Sequence, residues 1–137
     1  MHAYTHTHIS IGRTIVGARK RDSCKPLFKK FKILTVVNLY IYQVLMYTKT
    51  NINNFIQRQD IHDHNTRGKF DINIPQHRLS KTHISCKLNF IKFFNNLPYG
   101  ARETTILNFK TKIYNWLIDN PFYKIEEFLN CEPNISF

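Results

Sequence analysis

Thr104-Thr-Ile-Leu-Asn-Phe-Lys-Thr-Lys-Ile-Tyr-Asn-Trp-Leu-Ile-Asp-Asn120-Pro121 is the stretch that decides the fold. Ile106, Phe109, Ile113, Trp116 and Leu117 fall on one face of a 3.6-residue period, so the segment is predicted to be a helix with that face on a core. Thr104 or Thr105 supplies its cap, and Asn120-Pro121 stops it, because proline lacks the N–H that the next turn needs. The same period extends outward on both sides. Towards the N-terminus, a helix opening at Ser85 carries Leu88, Ile91 and Phe94 and ends at Asn96-Leu97-Pro98. Towards the C-terminus, Phe122, Ile125, Phe128 and Leu129 predict a last short helix with Glu126 and Glu127 turned outward.

The N-terminal part of the chain repeats the pattern. Ile11, Ile15, Val16 and Ala18 form a short stripe that Gly12 and Gly17 weaken. Ser23 is placed to cap a second helix with Pro26 in its first turn, where a missing N–H is harmless. Leu27, Phe28 and Phe31 form the apolar side of that helix and Lys25, Lys29, Lys30 and Lys32 the other. Thr35 caps a third helix near residues 36–49, striped by Val37, Ile41, Val44, Leu45 and Thr48. Leu39, Tyr42 and Met46 leave this helix little polar surface, so it is expected to be the most buried element. Its Val, Ile and Tyr also suit a strand, but about 14 residues is helix length. Residues 51–85 have no 3.6 period. Phe70, Ile72 and Ile74 alternate with Asp71 and Asn73 in a brief strand-like run, within what reads as an extended, poorly packed connection. The fold class is therefore mainly α, with two small helical groups, about 11–50 and 86–130, joined by a long irregular, partly extended section. Residues 1–10 and 131–137 stand outside both groups.

Composition narrows the function. Eleven Phe and seven Tyr in 137 residues separate the chain from a disordered basic tail. Twenty Lys and Arg against nine Asp and Glu give a net charge of +11, which favours a polyanionic partner through phosphate contacts and counterion release. No apolar run reaches the roughly 20 residues that cross a bilayer, and no secretory h-region is present, so a cytoplasmic or nuclear location without membrane contact is expected. Cys24, Cys86 and Cys131 are odd in number and far apart, as suits reduced thiols. Thr5-His6-Thr7-His8 is what an in-frame CA dinucleotide repeat encodes, which favours a translated microsatellite over a metal-binding histidine tract. Met1 then reads as a start codon that arose beside older coding sequence.

Several local signatures occur in order: Arg21-Asp22-Ser23-Cys24-Lys25-Pro26-Leu27-Phe28, Leu34-Thr35-Val36, Leu39-Tyr40-Ile41-Tyr42, Asn65-Thr66-Arg67, Ile74-Pro75-Gln76-His77-Arg78, Asn96-Leu97-Pro98, Phe109-Lys110, and Phe122-Tyr123-Lys124-Ile125-Glu126-Glu127-Phe128-Leu129-Asn130. From near Arg13 to about Asn130, this succession resembles the C-terminal segment of RNA-directed DNA polymerases of jockey-like non-LTR retrotransposons. The resemblance implies a region that follows the palm, with 11–50 thumb-like, taken from an enzyme that copies element RNA into DNA. It also implies that the Asp-Asp box of the palm lies upstream of the matched region. No Asp-Asp pair occurs in this chain, and two-metal nucleotidyl transfer needs closely placed carboxylates. The expectation is a catalytically silent fragment with no cofactor.

The candidate nucleic-acid contacts are Arg19, Lys20, Arg21, Lys25 and Lys29 around the start of the second helix, and Arg67, Lys69, Arg78 and Lys81 on the extended section. Tyr40, Tyr42 and Phe70 are of a type that stacks bases, though the place of the two tyrosines in an apolar helix suits core packing better. His62-Asp63-His64, with His77 and His83, forms a tempting metal set, but it lacks the paired spacings and cysteines of a zinc site. For Cys24 at a helix start, the sequence identifies no orienting third group for nucleophilic work. RNA or DNA is thus the expected partner. Two other readings stay open: a non-enzymatic helical module that binds a protein through apolar surface left by the missing polymerase domain, and a histidine-based metal protein.

Overall fold

Thr35 shows how closely local chemistry sets the elements. Its side chain accepts the Asn38 N–H at 3.1 Å, and helix α2 (Val36–Thr50) follows directly. In this computed structural model, residue 14 and residues 24–61, 68–74 and 86–135 are described. Among them α2 is flanked by α1 (Lys25–Phe31) and followed by α3 (Cys86–Asn95), α4 (Tyr99–Glu103), α5 (Ile106–Asp119) and α6 (Ile125–Leu129). Two 3-10 turns, Ile52–Asn54 and Arg58–Asp60, follow α2. The mainly α expectation holds, and no strand is present among the described residues. Apart from residue 14, the predicted helix around 11–18 falls outside them.

The predicted stripes are the buried faces. Val37, Ile41, Val44, Leu45 and Thr48 of α2 are buried, as are Leu88, Ile91 and Phe94 of α3 and Phe109, Ile113 and Leu117 of α5. With seven buried residues, α2 carries more than any other described element, yet Leu39 and Tyr47 remain about half exposed. Ile106, the first residue of α5, also stays out in solvent, while Ile118 joins the buried side. The cap expected at Ser23 falls elsewhere: Cys24 occupies the N-cap of α1 without a side-chain capping bond, Pro26 sits in the first turn as expected, and Ser23 lies outside the described residues.

The helices of the two sequence groups share one core. α2 lies against both α3 and α5, and α1 meets α5. Asn38 reaches the C-terminal end of α5 while Lys49 reaches Arg102 and Phe109 near its start, so α2 and α5 run antiparallel. The rings of Phe93, Trp116, Phe122 and Phe128 close one end in edge-on and tilted contacts 5.2–6.1 Å apart. The connecting section contributes to this core as well. Ile72 is 1% exposed and belongs to it, whereas Ile56, Ile61 and Ile74 are exposed. Ile72 is held by Asn95, whose Oδ1 accepts the Ile72 N–H at 2.8 Å and whose Nδ2 donates to the Ile72 carbonyl at 2.9 Å. The strand-like alternation at 70–74 is realised as a single antiparallel bridge, Gln57 to Ile72.

Candidate nucleic-acid interface

The cations expected to meet a polyanion fall in two places. The first is α1, whose apolar side packs inward through Phe28 and leaves Lys29, Lys30 and Lys32 in solvent. Lys32 ends the helix in the left-handed region (φ 52°), and the backbone N–H groups of Lys32 and Ile33 return to Lys29 and Phe28. Lys25 is turned towards the molecule instead: its ammonium lies 3.0 Å from Glu127 of α6 and 5.3 Å above the Tyr123 ring. That contact docks α1 onto α6 and explains why Glu127 is less exposed than Glu126. An open groove of about 740 Å³ lies between the two, with Lys25, Lys29, Asp119 and Glu127 on its walls.

The second place is built by residues 56–61 and 68–74 together with α4. Arg58 N–H donates to the Asp71 carbonyl (2.9 Å), Gln59 N–H to that of Lys69 (3.0 Å) and Asn73 N–H to that of Ile56 (2.8 Å), so the two pieces lie side by side. This pairing sets the Arg58 guanidinium 3.4 Å from the Asp71 carboxylate. α4 brings two residues one turn apart to the same segment. Arg102 ion-pairs with the other oxygen of Asp71, and Tyr99 packs on Phe70 at 5.4 Å. Lys69 lies 4.9 Å over the Phe70 ring. Lys49 enters from α2 and donates to the Arg102 carbonyl, with its ammonium also 5.6 Å above the Phe109 ring.

Burial shapes the electrostatics here. It pushes the Lys49 ammonium below its ordinary value, and desolvation, with the Arg58 charge second, does the same to Arg102. The Arg102 Nε is buried without a hydrogen-bond acceptor. Gly68 makes the close approach feasible, because a Cβ there would stand 2.7 Å from Asp71 Oδ2 and 3.1 Å from Arg58 Nη1.

Of the nine candidate contacts, Lys25, Lys29 and Lys69 are described; Arg19, Lys20, Arg21, Arg67, Arg78 and Lys81 lie outside the described residues. Sequence reasoning did not single out Asp71, Arg102 or Lys49. Their only trace was an isolated acid flanked by cations, since the helix that delivers Arg102 is five residues long and has no period to read. The three candidate stacking residues already have protein partners: Tyr40 meets Phe93, Tyr42 meets Tyr114 and Phe70 meets Tyr99. Burial, with Tyr114 second, raises the Tyr42 hydroxyl above its ordinary value. Core packing accounts for Tyr40, which lies against the buried cluster. All seven histidines, including His62, His64, His77 and His83, lie outside the described residues, and among the described residues no group of His, Cys, Asp and Glu could hold a metal. Cys24 is buried and Cys131 half-buried, and neither is in a disulfide. No helix among the described residues is long and apolar enough to cross a membrane. No protein-family model, no curated protein and no solved structure matches the chain.

Proposed function

We propose that the chain is a C-terminal segment of a jockey-like RNA-directed DNA polymerase, catalytically silent, that holds RNA or DNA non-specifically through its cations. The observation that carries the binding is the charge arrangement. A net charge of +11 includes Lys29, Lys30 and Lys32 exposed around one short helix and Arg58 half exposed at the edge of the connecting section. Such a distribution attracts a phosphate backbone whatever its sequence. The ordered signatures from Arg21 to Asn130 support the family assignment. The silent reading is supported by a sequence without an Asp-Asp pair and, among the described residues, by Asp71 facing two arginines and Glu127 facing Lys25. A role on RNA or DNA places the protein in the cytoplasm or nucleus.

Fluorescence anisotropy of the purified chain with single-stranded RNA and DNA over a salt series tests the proposal. With about five phosphate contacts, log affinity should fall against log salt with a slope near −3 to −4. Binding that ignores salt, or no binding, rejects it. Template-dependent nucleotide incorporation would reject the silent part. A second reading, a helical module for a protein partner, is favoured by one feature: Leu39 (49% exposed), Leu107 (77% exposed) and Tyr114 lie open on the antiparallel α2 and α5 pair. A salt-insensitive protein complex lost in Leu107→Asp would favour it.

A further inference from the structure

We propose that the cations gathered at Asp71 form a seat for a phosphate group, entered from the side of Arg58. Charge balance is the first ground. Arg58 and Arg102 bring two positive charges to the single carboxylate of Asp71, and Lys49, resting on the carbonyl of Arg102, brings a third nearby. Among the described residues none of the three pairs with another carboxylate. Donor supply is the second. Each guanidinium presents a fork of several N–H groups, together far more than two carboxylate oxygens accept. The Arg102 side chain is only 9% exposed, and its buried Nε has no acceptor, an arrangement that folding penalises. A tetrahedral oxyanion supplies both missing quantities, negative charge and several acceptors in a geometry that fits the arginine fork.

Arg58 is the exposed edge of the cluster. The Arg58 side chain is 52% exposed while Asp71 and Arg102 lie deeper, so an incoming anion meets Arg58 first and the buried guanidinium behind it. Gly68 keeps the wall of the seat free of a side chain, and the backbone pairing of 56–59 with 69–73 fixes the position of Arg58. A plain structural clamp would hold the same three residues together but would not respond to phosphate. The ligand chemistry is shared by a nucleic-acid backbone and by free phosphate. The seat itself stands on charge and geometry, independently of the nucleic-acid proposal.

The test is an NMR titration of the full-length chain with inorganic phosphate at constant ionic strength, following the Arg102 Nε–H resonance, with chloride as the matched control. A saturable shift with phosphate and none with chloride is expected. Arg58→Gln, a change at a half-exposed site, should weaken the affinity about tenfold, the loss of one charge-assisted contact. Asp71→Asn should strengthen it, because the competing carboxylate is gone. No saturable shift in the wild-type chain, or an unchanged affinity in Arg58→Gln, overturns the proposal. Should Asp71→Asn fail to fold, Arg58→Gln alone carries the test. Adding single-stranded RNA to the phosphate-bound chain then identifies the source: displacement supports a backbone phosphate as occupant, and persistence supports the free ion. A chain that takes phosphate but no RNA supports the seat while rejecting the nucleic-acid proposal.

Discussion

Asn38 is fully buried although it is polar, and its carboxamide is fully used. Nδ2 donates to the carbonyls of Leu117 and Asn120, and Oδ1 accepts the Phe122 N–H at 3.1 Å, so one side chain holds the chain reversal that follows α5. The Thr35 hydroxyl adds a bond to the Phe122 carbonyl at 2.7 Å. Asn38→Ala strands three backbone groups in the interior and should lower stability by about 2–4 kcal/mol, while Gln43→Ala on the exposed side of the same helix should change it by less than about 0.5 kcal/mol. Urea unfolding of the two variants checks the contrast, and equal effects would show that the carboxamide network is not a principal constraint. In the sequence Asn38 reads only as a polar interruption of an apolar run. Its partners lie 79 to 84 positions away, beyond the reach of any local pattern.

At the scale of elements, helices with a period were legible and those without one were not. α2, α3 and α5 each carry at least ten residues and an apolar stripe, so their type and buried faces follow from spacing. α4 spans five residues after Pro98 and leaves no period, although it delivers both Tyr99 and Arg102 to the connecting section. The candidate site was legible only as scattered charge for the same reason: which cation meets Asp71 depends on α4. Two kinds of attachment between elements should differ in strength. Phe109 joins α5 to the core with no exposed surface, and Phe109→Ala should cost about 3–5 kcal/mol. Lys25 joins α1 to α6 by a pair in which both side chains remain partly exposed, and Lys25→Gln should cost under about 1 kcal/mol. Thermal unfolding of each variant measures the difference; a Lys25→Gln loss as large as that of Phe109→Ala would assign the pair a role that its exposure does not support.

In the molecule as a whole, the two helical groups marked by the sequence enclose a single interior, and among the described residues the connection between them adds Ile72 to it, with Ile52 and Phe55 packed against it. Periodicity marks which face of each helix is covered but not which helix covers it, so the antiparallel match of α2 with α5 became visible only in three dimensions. The +11 charge, by contrast, was readable from composition alone, because long-range attraction depends on a sum more than on a fold. The clasp of Asn95 on Ile72 has one more consequence. Both main-chain groups of Ile72 are satisfied by a side chain from a helix rather than by a neighbouring strand, so the lifetime of its amide proton in heavy water should match that of the helical interior and far exceed that of Lys69, and Asn95→Ala should collapse that protection by orders of magnitude while leaving the deuterium uptake of α5 unaltered.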